Sequence, residues 1–176
     1  MSVHRTPLAS LLAFHQHTLD QCEALWRLVM CLGQCEPDAA SRQATDQLLA
    51  WFDGAGDAFA NEERVLFPAL IDSLAGADAD DVRELTLSLT RRHRNLEALW
   101  TRLRLVLEAV AAGESRPEII EAAGLFIRLM RRQIESEQET VVPLAHELIQ
   151  EPRLPHIGDA VCPRAAAPSG QRAACT

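Results

Sequence analysis

Residues 59–70 read Phe-Ala-Asn-Glu-Glu-Arg-Val-Leu-Phe-Pro-Ala-Leu, and a weaker copy, Ile-Glu-Ser-Glu-Gln-Glu-Thr-Val-Val-Pro-Leu, follows at residues 134–144. In each copy a glutamate lies six residues before a proline, Glu62 in the first and Glu137 in the second. A histidine also precedes each glutamate, by 47 residues in the first case and by 44 in the second. An internal repeat of this length predicts two similar helical hairpins that face each other.

The composition narrows the classes of protein that fit this chain. Of its 176 residues, 48% are hydrophobic and 24% are charged, as is usual for one soluble globular domain. The absence of Tyr, the low count of eight Gly and the abundance of Ala, Leu, Glu and Arg favour helices. A net charge of −8 argues against nucleic acid or an anionic membrane as a partner. No apolar run reaches the roughly 18 residues of a membrane span, and no signal-peptide core is visible, so we expect a cytoplasmic protein.

The hydrophobic pattern predicts four amphipathic helices, over residues 7–32, 38–67, 80–112 and 115–150. Four such helices with short connections predict an all-α fold, an antiparallel four-helix bundle with up-down-up-down topology. The apolar stripe of the first helix includes Trp26, which we expect to be buried.

The ends of the helices and of the domain also follow from the sequence. Asp38 or Ser41 can cap the second helix, and Ser115 can cap the fourth. Pro68 is expected to kink or end the regular second helix. The bundle is assigned to residues 1–155 and a flexible tail to residues 156–176, whose last part lacks periodicity and large apolar side chains.

Each apolar stripe is interrupted by a polar residue that should point into the core. Burying two carboxylates without partners would cost several kcal/mol each, so a compensating group is required. Two imidazoles and two carboxylates from four helices could coordinate iron, manganese or zinc. A simpler interpretation, in which each His or Glu pairs with a core neighbour, explains the residues singly but not their matching repeat positions. The inward polar residues are His15, Glu62, His93, Gln133 and Glu137.

The second histidine of the first helix gives a contrast with the inward one. His17 lies two positions after His15, about 200° round a regular helix. We therefore expect His17 to face solvent.

These segments together resemble the hemerythrin-like family, also called the HHE cation-binding domain, over about residues 7–160. The most specific segment is Glu62-Glu63-Arg64-Val65-Leu66-Phe67-Pro68 on the second helix. The supporting segments are Phe14-His15, Arg92-His93-Arg94-Asn95-Leu96-Glu97, and Glu137 followed by Val142-Pro143-Leu144-Ala145.

In that family, helices two and four each carry a histidine four residues before the glutamate, the two carboxylates bridge a di-iron pair, and imidazoles cap each metal. Here those two histidine positions hold Ala58 and Gln133, so each metal would lack one nitrogen. The resemblance implies four remaining metal ligands: His15, Glu62, His93 and Glu137.

Three states of this reduced site follow from the resemblance: an open, weak di-metal site, a single metal shared by the four ligands, or an empty site held by His–Glu hydrogen bonds. Further ligands would come from water, from a neighbour such as Glu63, or from an exogenous molecule. Ala58 leaves room for water or for such a molecule, whereas Gln133 offers only an amide oxygen.

The resemblance implies a metal-binding protein, with iron as the expected cofactor and zinc or manganese as alternatives, for O₂ or NO binding, sensing or iron handling. One alternative is a metal-free relative that acts as a structural or interaction module. Another is a thiol redox sensor that uses Cys31 and Cys35, although two ordinary reduced thiols explain this pair more simply. No nucleophile–base pair or phosphate loop is visible, so an enzyme is not expected.

Overall fold

The computed structural model describes residues 8–114, 116–149 and 154–161, and its regular elements in this part of the chain are all helical. Two π-helical segments, Glu62–Leu66 and Glu137–Val141, join successive helices without a break. The α-helices are α1 Ala9–Leu32, α2 Ala39–Asn61, α3 Phe67–Asp72, α4 Ala77–Ala111, α5 Ile119–Ser136, α6 Val142–Leu148 and α7 Leu154–Val161. Ser115, the expected cap of the fourth helix, lies outside the described residues.

Four long helices form the body of the molecule: α1, α2 extended by α3, α4, and α5 extended by α6. α1 packs against α2 and α5, and α4 packs against the same two helices from the other side. Each long helix therefore has two neighbours in a closed ring, which confirms the predicted all-α, four-helix bundle.

The helix starts show local sequence signals. Asp38 caps α2, because its Oδ1 accepts a hydrogen bond of 2.8 Å from the Ser41 N–H while the Ser41 Oγ accepts one of 2.8 Å from the Asp38 N–H. α4 begins after Gly76, whose φ of +68° suits glycine and would strain other residues. This start lies three residues before the expected one, at Ala77 rather than near residue 80.

Both π-helical segments begin at the repeated glutamate and end just before a proline-containing turn. The N–H of Phe67 donates to the carbonyl of Glu62, and the N–H of Val142 donates to that of Glu137, five residues back in each case. Proline has no N–H and crowds the carbonyl four residues earlier, and a widened turn accommodates it. We expected Pro68 to kink or end the regular helix, whereas the chain passes through the π segment and continues as α3.

The apolar core consists of two clusters separated by a polar layer. Along α4, Leu89 belongs to one cluster and Leu96 to the other, with buried His93 between them. The same interruption occurs once on each of the other three long helices. The polar layer therefore divides the core into a cluster beside α3, α6 and α7 and a cluster at the other end of the bundle.

Two expectations about the chain differ from the structure. Trp26 is 41% exposed, because α1 turns Leu25 and Leu28 toward its neighbours and places Trp26 at the rim, beside Gly124 of α5. Residues 156–161, which the sequence analysis placed in the tail, belong to α7.

α7 packs against α1, α2 and the first π-helical segment. Its Ile157 and Val161 are buried in the cluster beside α3 and α6, and the Asn61 side-chain amide donates to the Val161 carbonyl at 3.3 Å. Residues 162–176 lie outside the described part. None of the described helices combines the length and the apolar character that a bilayer crossing requires.

Candidate metal centre

The polar layer brings together the four side chains that the sequence analysis named. Each is at most 1% exposed, and each comes from a different long helix or from the π segment that extends it. His17 is exposed, as its angle on α1 predicted. The four buried residues are His15, Glu62, His93 and Glu137.

Glu137 contacts both histidines of the layer. Its Oε2 lies 3.0 Å from His15 Nε2, and its Oε1 lies 3.1 Å from His93 Nε2. Glu62 completes the group, with its Oε2 at 3.6 Å from His93 Nε2. One ligand atom from each of His15, Glu62 and Glu137 lies within 4.8 Å of the other two. These atoms are close enough to share a cation.

The two positions where the family carries further histidines are also buried. Ala58 has no polar group to offer. The Gln133 side chain points into the layer, where its Nε2 lies 2.9 Å from His93 Nε2 and donates a hydrogen bond to the Glu137 carboxylate. The two halves of the site therefore differ: an amide occupies one substituted position and only a methyl group occupies the other.

His93 is held more firmly than His15. Its Nδ1 lies 3.0 Å from Glu63 Oε1, and its ring stacks on Phe59 with centroids 4.3 Å apart and planes inclined by 12°. The Phe67 ring lies nearly parallel to it at 6.0 Å. Among the described residues, neither ring nitrogen of His15 has a hydrogen-bond partner.

Several buried polar atoms of the layer lack hydrogen bonds, which is rare in native proteins. Although His15 Nε2 and Glu137 Oε2 are 3.0 Å apart, their orientation does not align a hydrogen bond. A cation would use the lone pairs of these atoms. Within the described residues, the unpaired atoms of the layer are both ring nitrogens of His15, both carboxylate oxygens of Glu62, Glu137 Oε2 and Gln133 Oε1.

The pKa values of the two carboxyl groups shift in opposite directions. Burial raises the pKa of Glu62 well above its usual range, and the charges of Glu137 and Glu63 raise it further. Burial also acts to raise the pKa of Glu137, but contacts with the His15 and His93 imidazoles outweigh it and lower that pKa to about 2. Two ionised carboxylates are thus unfavourable here without added positive charge. Two imidazoles and two carboxylates suit iron, manganese or zinc, so the residues present fit such a cation.

Sequence reasoning missed the role of Glu63, which it treated only as a reserve ligand. The sequence shows only that Glu63 follows Glu62 and lies about 100° away from it round the helix. Its contact with His93 could not be predicted, because that contact depends on how α4 packs against α2. It also missed the ring stacking on His93. Phe59 lies on the apolar stripe of α2, but its spacing alone does not identify the ring that it meets.

The family model of the hemerythrin HHE cation binding domain matches residues 6–145, most of the chain and all four residues of the polar layer. None of the curated proteins compared with the chain matches it. None of the solved structures matches it either. Because the family model matches well over half of the chain, the chain belongs to the hemerythrin HHE cation-binding domain family.

Proposed function

We propose that this chain is a hemerythrin-like iron-binding protein with a reduced, open site inside the bundle, which serves O₂ or NO binding, sensing or iron handling. The observation that carries this proposal is the group of buried donor atoms without partners in the polar layer. The proposed ligands are His15, Glu62, His93 and Glu137.

In this proposal the two carboxylates lie between the two imidazoles. Glu137 contacts both histidines, and Glu62 lies close to His93. Bound iron would supply a centre that is redox-active and can accept a small exogenous ligand. In this proposal, such a ligand would bind beside the buried Ala58, whose methyl group is smaller than the imidazole of the full ligand set.

A cation also accounts for the charges. Burial and the neighbouring carboxylates oppose the ionisation of Glu62 in the folded chain and raise its pKa. A metal ion would stabilise two ionised carboxylates and displace any proton that they hold. Binding therefore releases protons, and the affinity is expected to fall on acidification.

Metal analysis of the purified protein, reconstituted anaerobically with Fe²⁺, tests this proposal. His15→Ala is expected to reduce the bound iron strongly, whereas His17→Ala, on the same helix but exposed, should retain it. A strong chelator should remove iron from this chain more readily than from relatives that keep all the histidines. A wild-type chain that binds no cation, or a His15→Ala variant that binds as tightly as wild type, contradicts the proposal.

A spectroscopic measurement separates the binding of O₂ or NO from iron handling. Addition of NO to the Fe²⁺-loaded protein under anaerobic conditions should change its absorption spectrum if a coordination position is open. An unchanged spectrum from fully loaded protein would leave iron handling as the better role.

A metal-free module is the second candidate, and one observation favours it. The Gln133 amide bonds to the Glu137 carboxylate, so part of the polar layer is satisfied by the chain itself. The metal count separates these two candidates directly. The redox candidate uses Cys31 and Cys35, both exposed free thiols, and a thiol titration with and without oxidant tests it.

A further inference from the structure

Glu63 lies just outside the polar layer and connects it with the protein surface. Its Oε1 lies 3.0 Å from His93 Nδ1, and its Oε2 accepts a hydrogen bond of 2.7 Å from Arg94 Nη2. We propose that Glu63 is a positioning residue of the metal site: it holds the Nδ1–H of His93 and thereby points the Nε2 of the ring toward the centre. The expected effect on metal binding rests on the proposed function, whereas the orientation of His93 by Glu63 does not depend on a metal.

The orientation of the ring follows from its partners. An ionised carboxylate only accepts hydrogen bonds, so the proton in the contact with Glu63 belongs to His93 Nδ1. On the other side of the ring, Nε2 lies 3.1 Å from the acceptor Glu137 Oε1 and 2.9 Å from the donor Gln133 Nε2. A ring held through Nδ1–H aims Nε2 at the centre, where a cation would displace any proton from Nε2 and bind its lone pair.

Glu63 is itself held in place. Arg94, which is 57% exposed, donates to one Glu63 oxygen and also bonds both oxygens of Glu97 at 3.0 and 3.1 Å. The Glu63 side chain is only 16% exposed, so it is shielded enough to hold a defined orientation. Stacking on Phe59 then fixes the plane of the His93 ring, while Glu63 fixes its rotation within that plane.

Nothing equivalent orients the other histidine in the part of the chain that the structure describes. His15 Nδ1 has no hydrogen-bond partner, and its Nε2 faces Glu137 Oε2 at 3.0 Å. The site therefore has one imidazole that is held through its Nδ1 and one imidazole that is not. Loss of Glu63 should make His93 resemble His15.

The first arm of the test reads the His93 tautomer in the metal-free protein. In ¹⁵N-histidine NMR spectra, the wild type should show His93 protonated at Nδ1, and Glu63→Ala should shift it to the Nε2–H form or to a mixture. Glu97→Gln is the matched control, because it removes the other carboxylate on Arg94 without touching His93, and it should leave the tautomer unchanged. An unaltered His93 spectrum in Glu63→Ala overturns the inference.

The second arm measures Zn²⁺ and Fe²⁺ affinity by competition with a chelator. Glu63→Ala should weaken binding by about 10–100-fold, the usual effect of losing a partner of a metal-bound histidine. Glu63→Gln should recover part of this loss, because its amide oxygen still accepts from Nδ1–H, and Glu97→Gln should bind as wild type does. A changed tautomer with unchanged affinity also overturns the inference. If wild type binds no cation, the proposed function fails, while the first arm still decides what Glu63 does to His93.

Discussion

Glu62 and Glu137 occupy equivalent places in the two halves of the repeat, each as the first residue of a π-helical segment, yet their surroundings differ. Both oxygens of Glu62 lack a hydrogen-bond partner, and burial raises its pKa. Glu137 contacts His15 and His93, and its pKa is lowered to about 2. Two carboxyl groups in the same backbone geometry therefore have pKa values that shift in opposite directions.

The residue one turn earlier also differs between the two halves. Gln133 reaches the Glu137 carboxylate with its amide, whereas Ala58 presents nothing to Glu62. Side chains at i and i+4 share a helix face, so each substituted position acts on its own glutamate. A repeat can therefore keep its backbone and core pattern while single side chains make its two carboxylates unequal.

The largest effect is expected when both substituted positions become histidine. The double variant Ala58→His with Gln133→His should raise iron affinity by about 10⁴-fold. Loss of a residue that hydrogen-bonds to a metal ligand costs up to about 100-fold in affinity, and each new histidine, as a direct ligand, should contribute at least that factor. Without metal, the added volume at residue 58 should cost about 1–3 kcal/mol. With iron, the variant should melt above wild type, because a ligand that binds only the folded state stabilises it.

Chelator competition and thermal melting, each with and without iron, measure this result. The single variants serve as controls and should show intermediate affinities. If the double variant gains neither affinity nor melting temperature with iron, residues 58 and 133 do not face a metal.

Replacement of each glutamate by its amide tests the asymmetry directly. Glu137→Gln should destabilise the metal-free protein by about 3 kcal/mol at neutral pH, because it breaks buried charge contacts with two histidines. Glu62→Gln removes a carboxyl group that gains no hydrogen bond and whose ionisation burial opposes, so at neutral pH it should leave the metal-free protein as stable as wild type or more stable. Urea unfolding in the presence of a chelator gives both values, and equal losses would show that the two sites are equivalent.

The pH dependence of the metal-free protein should separate the two groups. Between the ordinary value of 4.5 and its raised pKa, Glu62 keeps a proton when folded that it releases when unfolded, so its contribution to stability falls as pH rises. Glu137 acts in the opposite sense, and its contribution is lost as pH falls from 4.5 toward 2. Unfolding free energies of wild type and Glu62→Gln, measured from pH 3 to pH 8, should diverge above pH 4.5 by up to about 1.4 kcal/mol per pH unit.

Glu62→Gln serves here as the variant that lacks the titrating group. Parallel pH curves for the two proteins would mean that the Glu62 carboxyl ionises as freely in the folded state as in the unfolded state.

The smallest effect is expected from making the second half resemble the first. Gln133→Ala removes the amide that bonds to Glu137 and should destabilise the metal-free protein by about 1 kcal/mol, the usual net value of a hydrogen bond. It should also raise the pKa of Glu137, since one donor to the carboxylate is lost. Infrared absorption of the carboxyl groups against pH follows this change. A Glu137 that titrates as in wild type would assign its low pKa to the histidines alone.

Much of the site was readable from the sequence, because hydrophobic periodicity fixes the direction of each side chain about its own helix axis. That relation placed His15 inward and His17 outward on α1. It also placed Gln133 and Glu137 on the inner face of α5 and its extension. The family resemblance then named the chemistry that a metal would need, and whether these residues ligate one stays a proposal.

Other features depend on what a neighbouring helix presents. Periodicity places Trp26 on the apolar side of α1, yet the residue lies at the rim of the bundle. The part of the α1 surface that stays exposed depends on where α2 and α5 pack. The burial of Ile157 and Val161 likewise depends on a groove formed by elements distant in sequence. Periodicity within one helix carries no information on the angle and offset between two helices.

The sequence by itself determined four helices, their inner faces and the level at which polar residues interrupt them, because these depend on spacing along one helix. Only the tertiary structure decided that Glu63 would hold His93 and that Glu62 would lack a hydrogen-bond partner in the described structure. Those outcomes rest on distances of about 3 Å between different helices, where an ångström of offset decides whether a hydrogen bond forms.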